Sequence, residues 1–188
     1  MDRESKSFAF LTEYEDLSKF KGSFAMMEHA DFDTKSLEYS IFRLNEFSWE
    51  EHCCSAIARY FPELADLLDD EFREAMKITD HVLSSFPEKV ETLPFRQAIW
   101  FYVLRITGMF HDDYDYQRVN LFLNKQAKIY IKKITSFPKY LFAKDFFNMG
   151  LHFRDSEKIH MNLLACEARK QAEILYSLRA IDEYLNSR

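Results

Sequence analysis

Glycine is almost missing from this chain: Gly22, Gly108 and Gly150 are three of 188 residues, against nineteen Phe and ten Tyr. Loops that hold a phosphate or a dinucleotide on successive backbone N–H groups need glycines gathered in one tight turn. Three scattered glycines supply neither the P-loop nor the dinucleotide fingerprint. What such a chain can build is helices of large side chains joined by short connections. The sequence therefore predicts an all-α, single-domain helical bundle or a short array of antiparallel helical hairpins, with about seven or eight helices around an aromatic core.

Composition then trims the list of functions. An apolar fraction of 47% with 30% charged residues is ordinary for a folded domain and far from the disordered regime. A formal charge of −6 argues against broad electrostatic attachment to nucleic acid or to an anionic membrane surface. The charged start, Met1 to Lys6, is followed by no apolar signal region, and no apolar run approaches the roughly 18 residues of a membrane span. The expected location is cytoplasmic. Cys53, Cys54 and Cys166 are odd in number. The three thiols read as reduced, and the adjacent pair, which points about 100° apart on a helix and forms no C-x-x-C site, reads as buried small hydrophobes.

Proline supplies the punctuation, with Phe-Pro steps at Phe61-Pro62, Phe86-Pro87 and Phe137-Pro138. Each marks a helix boundary, because proline lacks an N–H and pushes the preceding residue out of the α region. Between the first two, Leu64, Leu68, Phe72, Ala75, Thr79, Val82 and Phe86 form one apolar stripe. Upstream, Ser48 to Glu51 has capping-box spacing and predicts a helix from Trp49 to about Tyr60. Residues 1–47 form an N-terminal helical segment, with one or two helices around Gly22. A helix is expected over 37–47, where the alternation of Leu37, Tyr39 and Ile41 leaves a short strand open. Residues 48–188 form the main helical domain.

After Pro94, Ala98 to Leu104 is apolar all round, as in a helix packed on several sides. It should stop near Phe110, before the polar His111-Asp112-Asp113-Tyr114-Asp115. The next helix, about 116–135, turns Val119, Phe122, Leu123, Ile129, Tyr130 and Ile134 inward and Lys125, Lys128, Lys132 and Lys133 outward. A shorter helix covers about 139–152. The last, about 156–185, carries Ile174, Leu178, Ile181 and Leu185 at heptad-like 4-3-4 spacing. Its far end could pair with a second copy as a homodimer, or pack within the monomer.

The histidines are the natural place to look for chemistry. Arg-x5-His occurs twice, at Arg105 and His111 and at Arg154 and His160. This spacing resembles the R-x(4–6)-H signature of HEPN ribonucleases, which implies metal-independent RNA cleavage with His160 moving the proton and Arg154 steadying charge on phosphate. Counting on this composition gives about one such match by chance, so Arg154 and His160 read first as an ordinary surface pair near the start of the last helix. His81 with His111-Asp112 and a later Asp155 or Asp182 is similar to HD-domain metal phosphohydrolases, which would imply a divalent ion activating water. The small residues expected after that His-Asp turn are missing, and Asp112 and Asp113 read as caps. Glu157-x-x-His160 is half of a di-iron motif and occurs once. Asp113 to Asp115 lacks the glycine and closing glutamate of a calcium loop. No metal or cofactor is assigned, and the lysines of 125–133 read as a solvated face before an RNA surface.

Nineteen Phe and ten Tyr exceed what a small helical core needs. Aromatics give large contact area at low entropic cost and are enriched where proteins meet. The sequence is therefore read as a non-enzymatic binding or regulatory module that engages a protein or peptide through an aromatic-lined groove. Its texture is similar to the ligand-sensing helical-repeat half of peptide-responsive bacterial regulators. The alternative is a HEPN-like ribonuclease using Arg154 and His160, and nucleic acid is a partner only in that case. The junctions after Gly108 and Gly150 are where a site is sought.

Overall fold

The computed structural model describes residues 42–78, 91–149 and 153–187. The helices expected around Gly22, the segment 37–41, the stripe from Thr79 to Phe86, and His81, Gly150 and His152 lie outside the described residues. Within them are seven α-helices: α1 (Cys54–Ala58), α2 (Pro62–Lys77), α3 (Leu93–Ile106), α4 (Gln117–Phe122), α5 (Lys125–Ser136), α6 (Ala143–Asn148) and α7 (Asp155–Asn186). A π-helical turn, Trp49–Cys53, runs into α1, and a 3-10 turn, Pro138–Tyr140, precedes α6. The fold is all-α, as the sequence predicts.

Among the described residues, two strands of two residues each interrupt it. β1 (Phe42–Arg43) pairs in parallel with β2 (Met109–Phe110), Phe42 opposite Met109, and Leu44 N–H continues the ladder to Phe110 O at 2.9 Å. So at Phe42 and Arg43 the chain takes the strand option rather than the expected helix. The chain then turns, with the N–H groups of Glu46 and Phe47 reaching Arg43 O at 3.1 and 3.2 Å.

The core is built on α3 against α7. Ala98, Ile99 and Val103 on α3 are fully buried, as expected of a helix apolar on every side. They meet Met161, Leu164, Ala165, Ala168, Ala172 and Leu175 of α7. The small alanines let the two backbones approach, and each fully buried Leu or Ile adds about 1.5–3 kcal/mol of transfer free energy. On α2 the inward face is Ala65, Phe72 and Ala75, with Leu68 and Met76 half-buried. Leu64 is exposed, so among the described residues the expected stripe holds at Leu68, Phe72 and Ala75.

Capping chemistry cuts the middle of the chain more finely than periodicity suggests. The single helix expected over 116–135 breaks at Leu123-Asn124, because the Asn124 side chain accepts a hydrogen bond from Ala127 N–H at 2.8 Å and starts a new helix. The break turns Leu123, Ala127, Tyr130 and Ile131 inward. Phe122, expected inside, is left 38% exposed at the end of α4. The helix expected over 139–152 is likewise divided, and α6 begins where Phe142 N–H donates to the Asp145 carboxylate at 2.9 Å.

Gly108 ends α3 with φ +94°, a conformation that side-chain-bearing residues rarely adopt. A Cβ there would lie 2.7 Å from the Tyr176 hydroxyl, which donates to Thr107 O at 2.9 Å. Backbone and space both require glycine.

Candidate functional site: an aromatic-walled cleft

A cleft of about 1050 Å³ lies between the π-helical turn, α2, α3 and α7. The turn is set by Ser48, whose Oγ accepts Glu51 N–H at 3.2 Å. The reciprocal bond that a capping box would take from Glu51 is made instead by His52, whose Nδ1 accepts Ser48 N–H at 3.1 Å while its ring stacks on Phe47 at 5.0 Å. Both His52 N–H and Cys53 N–H reach Ser48 O at 3.2 Å, the doubled bond that widens this turn beyond an α-helix. The result buries Trp49 and leaves Glu50 and Glu51 exposed.

Trp49, Phe72 and Trp100 form a continuous wall. Trp49 meets Phe72 edge-on at 5.0 Å and 86°, and Phe72 meets Trp100 at 6.1 Å and 78°. Each indole N–H is already used: Trp49 Nε1 donates to Asp69 at 3.2 Å, and Trp100 Nε1 donates to Gln171 Oε1 at 3.1 Å. What the two tryptophans offer the cleft is therefore apolar ring surface. Phe101 extends the lining, and its ring lies edge-on to His111 at 5.2 Å.

The cations along the cleft are spoken for. Arg73 pairs with Asp69 and, at 3.1 Å, with Asp70, and Lys77 pairs with Glu74 at 2.9 Å. Arg96 is 5% exposed, donating through Nε to Met76 O at 2.7 Å and through Nη1 to the Thr92 hydroxyl. Burial draws its pKa downward, opposed by nearby Glu91. Glu50, Glu51 and Asp113 also line the cleft and form no ion pair among the described residues.

The first Arg-x5-His pair is absorbed into packing beside the cleft. The Arg105 guanidinium lies 4.8 Å from the Phe110 ring centre and 5.6 Å from that of Tyr116. His111 N–H donates to Tyr116 Oη at 3.1 Å, and His111 Nδ1 accepts Asp113 N–H at 3.3 Å. Burial pushes the Tyr116 phenol pKa up, against the lowering effect of that bond and of Arg105. Asp112 accepts from Arg43 at 2.8 Å and from Asn45 at 3.2 Å, tying the residues around β1 to those after β2.

The second pair sits elsewhere. Arg154 is exposed at the start of α7, where its N–H donates to the Glu157 carboxylate at 2.5 Å. His160 is half-buried and donates through Nε2 to Ala75 O at 3.1 Å, linking α7 to α2. No hydrogen bond or ion pair joins Arg154 to His160 among the described residues.

Of the lysines expected on a solvated face, Lys125 is exposed but Lys133 is not. Lys133 Nζ lies 2.7 Å from Asp145, with only 13% and 10% of the two side chains exposed, and locks α5 to α6. The break at Asn124 rotates this part of the helix, which is why a register counted through 116–135 misplaces it. The three cysteines are free. Cys53 is fully buried, and burial pushes its thiol up to about 12. Cys54, expected to be buried, is half-buried, and Cys166 is exposed. On the heptad-like end of α7, Ile174 and Leu178 pack on the core while Ile181 and Leu185 are 54% and 58% exposed. Among the described residues no three His, Cys, Asp or Glu gather as a metal site, and no helix is long and apolar enough to cross a membrane.

The cleft itself was not located by residue in the sequence. Its one readable signal is the cap at Ser48, which fixes Trp49. Gln171 gave none, since a glutamine amid charged residues on a long helix reads as solvent-facing.

Comparison with known proteins gives the family. The family model described as PA26 p53-induced protein (sestrin) matches residues 4–185. A sestrin homolog of Dictyostelium discoideum is 42% identical over 173 residues, covering 92% of this chain and 28% of that protein. Sestrin-2 of Homo sapiens is 41% identical over 144 residues, covering 77% of this chain and 30% of its own length. Sestrin-1 of Xenopus laevis is 36% identical over 157 residues, covering 84% and 32%. The chain thus spans about a third or less of the length of these relatives. With a family model covering nearly all of it and relatives this similar, the chain belongs to the sestrin family.

Proposed function

We propose that this chain acts as a non-enzymatic regulatory module that engages a protein or peptide partner through the cleft between the π-helical turn, α2, α3 and α7. The observation that carries this is the wall of Trp49, Phe72 and Trp100. Its indole N–H groups are internally satisfied and its rings are largely buried, so the edge that it turns to the cleft is apolar. Membership of a family described as p53-induced agrees with a task of answering a signal. The proposed place of action is the cytoplasm.

A photo-crosslinking residue placed at Gln97, which is half-buried on the cleft, should capture a specific partner in cells. The same residue at Lys125, exposed on α5, should not. Equal capture from both positions would overturn the assignment of the cleft. The ribonuclease alternative makes the opposite demand: purified protein must degrade RNA, and His160→Ala must abolish that while the fold survives.

A further inference from the structure

The formal charge of −6 is an average over an uneven chain. Between Gln117 and Asn148 stand seven Lys or Arg residues and one carboxylate, Asp145, so this stretch is strongly basic within an acidic protein. Asp145 is itself engaged within the fold, accepting from Lys133 Nζ at 2.7 Å and from Phe142 N–H at 2.9 Å. Folding then gathers the other cations. On α5, Ala127, Tyr130 and Ile131 face the core, which turns Lys125, Lys128 and Lys132, spaced i, i+3 and i+7, away from it. Lys128 and Lys133 project about 140° apart around the helix axis. The first reaches Asn120 of α4 and the second Asp145 of α6, so these two short helices flank α5 on opposite sides.

The flanking helices add apolar side chains that the core does not use. Leu121, near the end of α4, is 80% exposed, and Phe142, at the start of α6, is 57% exposed. The exposed rings carry cations beside them: Arg118 lies 5.9 Å from the Phe122 ring centre, and Lys144 lies 5.9 Å from that of Phe142. None of these residues lines the cleft. We propose that the α4–α5–α6 face docks this chain on an anionic lipid surface, independently of the cleft. Exposed apolar tips set among long cationic side chains match such a surface in both respects. Leu121 and Phe142 enter the boundary between headgroups and acyl chains, while the charged heads stay at the level of the phosphates. Two tips on separate helices suit a fluid boundary, which needs no shaped pocket to receive them. A nucleic acid fits less well, because Leu121 offers no ring on which a base can stack.

The test is co-sedimentation of the full chain with vesicles of phosphatidylcholine alone and of phosphatidylcholine with about 30% phosphatidylserine. Binding to the anionic vesicles should be at least about tenfold tighter, since each lysine near such a surface contributes about fivefold. Raised salt should remove that difference for the unaltered chain, whether or not any variant folds. Lys125→Gln with Lys128→Gln should weaken binding to the anionic vesicles by about tenfold or more. Leu121→Gln with Phe142→Gln, both at exposed positions, should weaken it too while leaving the salt dependence in place, a response that charge attraction alone does not produce. Equal binding to the two vesicles, or none to either, overturns the proposal, and so does undiminished binding by the Leu121, Phe142 variant. If polyglutamate or single-stranded RNA in solution binds the unaltered chain more tightly than the anionic vesicles do, the face belongs to an acidic protein or a nucleic acid and the membrane reading falls.

Discussion

The two ends of α7 have nearly the same composition and opposite support. From Glu157 to Leu175 the helix buries a residue at nearly every turn, with Ala168 and Leu175 fully enclosed against α3 and its neighbours. From Tyr176 onward every described residue is half-buried or exposed. What holds that second part is thinner: Tyr176 donates to Thr107 O, Leu178 packs on the core and Arg179 lies 4.8 Å from the Phe42 ring centre. Beyond them support is local, with Arg179 paired to Glu183 at 2.8 Å, i to i+4, and residues that favour helix on their own. An exposed pair of this kind contributes about 0.3–0.5 kcal/mol, whereas one buried leucine contributes several times that. One helix can thus be continuous in backbone and discontinuous in stability.

Substitutions along α7 should expose that contrast. Leu175→Ala, which hollows the enclosed part, is expected to cost about 2–5 kcal/mol in urea unfolding. A loss below 1 kcal/mol would mean that the two parts are equally supported. Gly108→Ala tests the point where the supported part ends. It places a Cβ against the Tyr176 hydroxyl at φ +94°, and about 1–3 kcal/mol should be lost. The double variant Gly108→Ala, Tyr176→Phe should recover part of it, since the clash is with the hydroxyl. His160→Ala removes the bond to Ala75 O and should cost about 1 kcal/mol, read as a lower melting temperature.

Ile181→Ala with Leu185→Ala, at the unsupported end, should change monomer stability by less than about 0.5 kcal/mol each. Sedimentation of the same variant tests the proposed homodimer. A dissociation constant that rises with the double substitution supports pairing through this end, and an unaltered distribution removes it. Thiol chemistry gives the finest comparison. A small alkylating reagent should modify exposed Cys166 before half-buried Cys54, and Cys53 last, its thiol being buried and held protonated.

Much of this architecture was legible from residues. The all-α class followed from scarce glycine and helical spacing. The limits of α7 and the central place of α3 followed from patterns that tertiary structure reinforces. Misplaced residues cluster where a single polar side chain outbids periodicity. Asn124 restarts a helix that the apolar pattern would carry through, and Lys133 turns inward because of that restart. His52 substitutes for Glu51 in completing the cap. The expectation of an aromatic groove concerned surface chemistry and named no residues, because Trp49, Phe72, Trp100 and Gln171 come together only across four separate elements. Gln171 and Trp100 meet 71 residues apart, and no local pattern encodes such a pair.

The two-residue parallel bridge between β1 and β2 has a dynamic consequence. Leu44 and Asn45 directly follow β1, and His111 and Asp113 closely follow β2, and all four line the cleft. A parallel ladder this short cannot sustain itself and is held by what packs around it. Its amide protons should exchange through a sub-global opening well below the free energy of complete unfolding. Slower exchange at Leu44 N–H on adding a ligand would then register occupancy of the cleft while α3 and α7 stay folded.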